Sequence, residues 1–245
     1  MSPMTAISNE YSLPLVAVSP NISNYYQELK EKIMNDENIK PEKPNPRLLG
    51  EYLPCSRGSI RVALQKKREA KVKGKNLKRI GELLVELDTI TEEDLKNALR
   101  QQRADRLGLC PVFDSLNRTE LSGISNHFVE TSISADQQFI FEGEHDPTLY
   151  ILVEGKLEVF TKDDKGNEIH IAFVNPVEPT GEMGYFQDGI RTASVRAVVP
   201  SELLCAAYKN LTHYFEHVPR VAHAFLDVIN RRQAETNKRI KNAND

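Results

Sequence analysis

Apolar residues recur along this chain with two different periods, and the change falls near residue 110. Before it, Ile80, Leu83, Leu84 and Leu87 lie three and four positions apart, the spacing of one helix face. Thr91 then precedes Glu92, Glu93 and Asp94, which supplies a hydroxyl N-cap, an acidic first turn and the capping-box spacing Thr91-x-x-Asp94. The helix that follows is expected to run to about Arg106, with Leu95, Ala98 and Leu99 on its apolar face. Residues 47–106 therefore read as helical. After Pro111, the apolar positions Val112, Phe113, Leu116, Leu121 and Ile124 suggest one short helix.

Brief apolar runs follow at Gln138 to Phe141, Leu149 to Val153, Lys156 to Phe160, Ile169 to Val174 and Ser194 to Val199. Turn residues separate them: Gly143, Glu154-Gly155, the stretch from Asp164 to Asn167, and Gly189. Short strands at this spacing predict an antiparallel all-β core, sandwich or barrel. Helix returns over Lys209 to His217, and again from Pro219, a good first-turn residue, to about Ile240. Residues 1–46 mix Ser, Asn and Pro with little periodicity. A disordered tail is expected there, with a short helix around Tyr25 to Met34.

Charge sharpens this division. The net charge is −3, but residues 1–46 carry −2, residues 47–106 carry +6 and residues 107–245 carry −7. Such asymmetry implies modules with different partners. The three cysteines, Cys55, Cys110 and Cys205, are widely spaced with no CxxC, which points to reduced thiols in a cytoplasm rather than a disulfide frame or zinc site. The N-terminus lacks a basic region before an apolar run, and Leu13 to Val18 is short and interrupted by Pro14. A soluble, intracellular protein without a membrane span is expected.

The chemistry concentrates in Gly181-Glu182-Met183-Gly184, followed by Arg191-Thr192-Ala193-Ser194-Val195. A cyclic phosphodiester needs a cationic fork and backbone N–H groups brought close by small residues, and a carboxylate can accept from the ribose 2′-OH. Glycines allow that close approach because they lack a Cβ. Arg191 is the sole cation in the stretch and Glu182 the natural hydroxyl acceptor; alone, the motif also reads as a turn with a surface ion pair.

The wider pattern resembles the phosphate-binding cassette of the cyclic-nucleotide-binding family, which includes bacterial catabolite activators and regulatory subunits of protein kinase A. Phe141-Glu142-Gly143 and the run from Leu149 to Val159 look like that family's strands, and the resemblance covers about residues 110–240. It implies an α+β chain: a C-terminal antiparallel, jelly-roll-like β-roll with flanking helices over 110–245, preceded by a helical module over 47–109 and the tail over 1–46. By the same resemblance Arg191 binds the cyclic phosphate and Glu182 the ribose. Gly181 and the amides of Met183, Gly184, Thr192 and Ala193 complete the cradle. Ile171 and Val174 line the base pocket or serve as plain core. Val177-Glu178-Pro179-Thr180 replaces the family's usual approach to the cassette, so the chain enters it differently.

Two features bear on the base. Thr192, directly after Arg191, matches a placement that favours cGMP in eukaryotic receptors, although bacterial cAMP receptors carry Ser there. In the last helix, Arg231 to Asn237 resembles the catabolite activator's helix that contacts adenine, and Thr236 and Asn237 can both read a base edge. We expect cAMP as the ligand, with cGMP as the alternative, and no cofactor.

Residues 79–102 resemble the repeated N-terminal unit of type II secretion and type IV pilus assembly ATPases, some of which bind cyclic di-GMP with two tandem units. The second unit here departs at Ile80 and Asp88. The first, from Leu48 to Leu64, is shortened by about four residues. A docking module for a protein partner is expected, with weak or no binding of cyclic di-GMP; a dual sensor of both nucleotides is the alternative. Arg57 to Arg79 holds ten basic residues and only Glu69 as acid, without aromatics to stack bases, so no specific nucleic-acid binding is expected. No GxSxG, HExxH or Walker loop is present, and His213 and His217 lack a credible third metal ligand. The chain stops soon after the last receptor helix, so a winged helix is not expected. The C-terminal helix offers a surface for a homodimer. The sequence thus predicts a cytoplasmic, bacterial, non-catalytic receptor; an interaction protein with an unused receptor fold is the other reading.

Overall fold

The structure is a computed structural model and describes residues 48–73, 78–163 and 165–244. The tail expected over 1–46 lies outside the described residues. From Leu48 the chain makes a short 3-10 turn (Leu49–Glu51), then helices α1 (Arg57–Val72), α2 (Ile80–Glu86), α3 (Glu92–Leu107) and α4 (Arg118–Ile124). Eight strands follow: β1 (Val129–Ile133), β2 (Gln138–Ile140), β3 (Thr148–Glu154), β4 (Leu157–Lys162), β5 (Glu168–Val174), β6 (Pro179–Thr180), β7 (Ser194–Ala197) and β8 (Ser201–Ala207). Helices α5 (Tyr208–His217) and α6 (Pro219–Asn244) end the described chain. The fold is an antiparallel β-roll with flanking helices, as the sequence predicts.

The strands form two four-stranded antiparallel sheets, ordered β1-β8-β3-β6 and β2-β7-β4-β5. Side chains alternate across a strand, so each strand can serve two layers. In β3, Leu152 enters the cluster between the sheets with Ile140, Val174, Val195 and Leu203, while Leu149 and Ile151 join the cluster under the helices. A strand buried on both faces reads as an unbroken apolar run, which is how Leu149 to Val153 looks. Three strands escape the periodicity. β1 is an edge strand with a polar pattern, β6 has two residues, and β8 is diluted by Ser, Glu, Cys and Ala.

Helix α3 carries the expected capping box: Thr91 Oγ1 accepts from the Asp94 amide at 3.1 Å, and Asp94 accepts from the Thr91 amide at 2.9 Å. This one helix belongs to two cores. Its Ala98 is buried with Leu53, Ala63, Leu84 and Ile90, whereas Ala104 and Leu107 are buried with Phe113, Phe128, Phe215 and Phe225. The boundary expected at residues 109/110 falls just past the end of this shared helix.

Replacing Leu107 with Ala should lower stability by about 2–5 kcal/mol, the usual cost of a cavity at a fully buried leucine. Urea unfolding followed by circular dichroism checks it, and a loss below about 1 kcal/mol would show that α3 does not join the two clusters.

Candidate functional site

The cassette begins where β6 leaves its pairing with β3, through Tyr150 opposite Thr180 and Ile151 opposite Pro179. β6 is a sheet edge, where the missing N–H of Pro179 costs no ladder bond. This accounts for the unusual approach Val177-Glu178-Pro179-Thr180. Gly181 then turns the chain with φ of 81°, in the left-handed region, and leads into a 3-10 helix over Glu182–Gln187. A side chain on Gly181 would also collide with the Arg191 guanidinium, so glycine is needed twice over.

Arg191 follows the single bridge between Ile190 and His145 and precedes β7. Its backbone is pinned on both sides: its amide donates to the Glu144 carbonyl at 3.0 Å, and its carbonyl accepts from the Gly143 amide at 2.9 Å. The side chain is 2% exposed. Nη2 donates to Asp146 Oδ2 and to the Thr148 carbonyl, both at 2.6 Å. Nη1 donates to the Gly181 carbonyl at 2.9 Å and to Tyr208 Oη at 3.0 Å. Tyr208 Oη itself donates to the Gly181 carbonyl. The fork that the sequence reading left open for a phosphate is therefore occupied by the protein. The physical reason is that a buried guanidinium must find acceptors whether or not ligand is present. Its third donor behaves differently: Nε is buried and has no acceptor among the described residues. Nor do the amides of Met183, Thr192 and Ala193 find an acceptor there.

Burial works against the Asp146 carboxylate, but hydrogen bonds from Thr148 and Arg191 and the guanidinium charge prevail, so its pKa falls below the ordinary range. Glu182 shows the opposite balance. It is 5% exposed, and burial pushes its pKa up despite the opposing charges of Arg232, Arg191 and Arg231. Arg232 comes from α6 and pairs with Glu178 at 3.2 Å, which ties the C-terminal helix to the approach of the cassette. The 3-10 helix is also anchored through Tyr185, whose ring packs edge-on against Tyr208, Phe215 and Phe225.

Between β5 and α6 lies a cleft of about 580 Å³, lined by residues 170–173 of the strand and by Glu235, Lys238 and Arg239 of the helix. It has the size of a small-molecule site. Ile171 lines it. Val174 does not: it is fully buried between the two sheets and acts as core. Thr236 and Asn237 are not among the residues that line it; Thr236 is half-buried and Asn237 is exposed. Gly181, Glu182, Met183, Gly184, Arg191, Thr192 and Ala193 do come together around the cassette.

Sequence reasoning missed Asp146, Tyr208 and Arg232 as parts of this constellation. Arg232 stood in plain view within the α6 stretch that resembles the catabolite activator. Asp146 and Tyr208 carry no local signal, since they meet Arg191 from 45 and 17 positions away.

Residues 130–217 match the family model of the cyclic nucleotide-binding domain. A stretch of 125 residues, 51% of this chain, is 28% identical to the cyclic AMP receptor protein of Thermus thermophilus and covers 58% of that protein. A stretch of 104 residues, 42% of this chain, is 31% identical to the cAMP-activated global transcriptional regulator of Salmonella typhimurium and covers 50% of it. The chain thus spans about half the length of these curated relatives. Among solved structures, a cyclic nucleotide-binding domain from Methylobacillus flagellatus superposes with a TM-score of 0.51 at 18% identity, over 58% of this chain and 85% of that one. Over residues 130–217 the chain thus matches the cyclic nucleotide-binding domain, and it is similar in sequence to the cAMP receptor proteins.

The raised pKa of Glu182 has a stability consequence. Its folded carboxyl holds a proton more tightly than the unfolded chain does, so its contribution to stability is present in full below the ordinary value of 4.5 and is lost as pH rises through the folded value. Glu182→Gln should therefore make the ligand-free protein more stable at pH 7, with an advantage that shrinks towards pH 4. Urea midpoints of the two proteins at both pH values test this, and a less stable variant at pH 7 would show that attraction to Arg232 outweighs burial.

Proposed function

We propose that this protein is a non-catalytic cAMP receptor that signals ligand binding to a protein partner through its N-terminal helical module. The observation that carries the reading is the unpaired Nε of Arg191, held in place beside the open amides of Thr192 and Ala193. Leaving a buried donor without an acceptor costs about 1–3 kcal/mol, more when it is charged. An anionic oxygen set against Nε and these amides removes that cost and forms charge-assisted hydrogen bonds. The near-neighbour carboxylate of Glu182 then accepts from a ribose hydroxyl, and the expense of its burial is repaid only when that donor arrives. cAMP is preferred over cGMP because the sequence relatives are named for cAMP. Ile171 and the α6 face of Glu235, Lys238 and Arg239 flank the space for a base.

Signal output follows from differential contact. Ligand can shift an equilibrium only by binding one arrangement more tightly than the other. The elements that link the site to the helical layer are α6, through Arg232, and the 3-10 helix, through Tyr185. Both lean on the aromatic cluster in which α3 ends, and α3 carries the helical module. Among the described residues no helix is long and apolar enough to cross a membrane, and no group of side chains could hold a metal ion. A cytoplasmic setting fits the three free cysteines. A second reading, a nucleic-acid-binding regulator, draws on the basic α1 and on the relatives named as transcriptional regulators.

Calorimetric titration should find micromolar or tighter cAMP binding at one site per chain. Arg191→Ala should abolish it, since a ligand phosphate would be left facing no cation, at a cost of about 3–5 kcal/mol. Glu182→Ala should weaken binding less, by about 1.5–3 kcal/mol for one hydrogen bond to a charged group. Unchanged affinity in the Arg191 variant would sink the assignment of the site. Glu235→Ala with Arg239→Ala should change the ratio of cAMP to cGMP affinity, whereas Thr236→Ala with Asn237→Ala should leave it alone; the reverse pattern would return base reading to Thr236 and Asn237.

A further inference from the structure

The helical module is built from two matching units. Ser56 caps α1 by accepting from the Ser59 amide, as Thr91 caps α3 from the Asp94 amide. Ser56 and Thr91, Ile60 and Leu95, and Ala63 and Ala98 are each 35 positions apart. Ahead of them Gly50 packs closely on Ile60, and Gly81 on Leu95. Leu53 pairs in the same way with Leu84, and both alanines and both leucines are buried in one cluster.

Outside that shared core the two helices part company. The outward end of α3 is docked on the β-roll. Arg103 Nη1 pairs with Glu130 at 2.9 Å, Arg106 lies in the field of Glu130, Glu154 and Glu202, and Leu107 is fully buried. The corresponding positions of α1, again 35 earlier, are Arg68, Lys71 and Val72. They repeat the same chemistry, yet all three are exposed, Val72 by 88%. Leu64, which corresponds to Leu99, is 42% exposed. Its helical neighbours at −7, −3, +3, +4 and +7 are Arg57, Arg61, Lys67, Arg68 and Lys71. None of these five cations forms an ion pair among the described residues, and the only acid of the helix, Glu69, is bonded to Gln65.

We infer that this face of α1 is a docking surface for a second protein, one that presents carboxylates around an apolar patch. The inference rests on the proposed role of the helical module in signalling to a protein partner and names the surface and the chemistry it takes. The charge complementarity is displayed within the chain itself, where the matching face of α3 pairs with Glu130 and lies in the field of Glu202 on the first sheet. A phosphate backbone would satisfy the cations but gives exposed Leu64 and Val72 nothing to bury. A bilayer would need a broad apolar face, and this ridge has two apolar residues among its cations.

The test uses the full chain and four probes. One is a helical 16-residue peptide with leucine at i, i+3, i+4 and i+7 spacing and glutamate elsewhere. The others are polyglutamate of equal charge, 16-base-pair duplex DNA and phosphatidylserine vesicles. Fluorescence anisotropy, or co-sedimentation for vesicles, at physiological salt should show the leucine–glutamate peptide binding at least tenfold tighter than each of the others. Arg68→Glu with Lys71→Glu, and separately Leu64→Ser, should each weaken it tenfold or more while the thermal midpoint and cAMP affinity stay unchanged. Arg103→Glu should instead lower the thermal midpoint, because its face is already docked. No peptide binding, equal or tighter binding of DNA or vesicles, or indifference to Leu64→Ser would overturn the inference. Peptide binding that requires removal of residues 1–46 would assign the face to this chain's own N-terminal segment. Self-association abolished by the same variants would assign it to a second copy, and either result overturns the partner assignment. A protein that binds the peptide but not cAMP would defeat the receptor reading alone.

Discussion

A guanidinium placed almost wholly out of water is the constraint around which this fold is arranged. Burying such a charge costs several kcal/mol unless its donors are met. Arg191 is met by four residues from three parts of the chain: Asp146 and Thr148 where β3 begins, Gly181 at the start of the cassette, and Tyr208 at the first residue of α5. The same contacts that make the charge tolerable therefore hold the cassette against the first sheet and against the helical layer. The glycine at 181 is part of this economy, since its carbonyl accepts from both Arg191 and Tyr208. One donor, Nε, is left over without an acceptor among the described residues.

The helical layer explains how the cassette is connected to anything else. Tyr185 reaches from the cassette into a stack in which Phe215 and Phe225 lie parallel at 3.9 Å and Phe113 faces Phe215 at 6.3 Å. Edge and stacked aromatic contacts are individually modest but define geometry well. Helix α6 adds a polar strap through Arg232 and Glu178. The site is thus attached to α5 and α6 by packing and by charge at two separate points.

Much of the fold was legible because it is written in short-range patterns. The capping box at Thr91 and Asp94, the turn glycines and the apolar runs of β3, β4 and β5 carry their meaning within a few residues. Gly181, Glu182 and Arg191 were legible as a motif for the same reason. What the sequence could not convey is long-range or geometric. β1 looks polar because one face of an edge strand is wet, and β8 is recognisable as a strand only once β1 and β3 flank it. Asp146 and Tyr208 acquire their roles by meeting Arg191 in space. On α6, recognising a helix did not say which residues border the cleft beside β5, where Glu235, Lys238 and Arg239 stand and Thr236 and Asn237 do not. Val174 illustrates the remaining ambiguity, since an apolar strand residue looks alike whether it lines a pocket or fills a core.

Helix α3 lacks a joint. Ala98 and Leu107 sit in different clusters on one unbroken run of hydrogen bonds, about 13 Å apart at 1.5 Å per residue. A module mounted on such a shaft cannot swivel as it could on a linker, and motion at one end reaches the other with its direction kept. The practical corollary concerns anyone who would transplant the β-roll. Cutting at the change of sequence period near residue 110 would strip Ala104 and Leu107 from the wall behind Phe113, so the portable unit begins no later than the Thr91 cap.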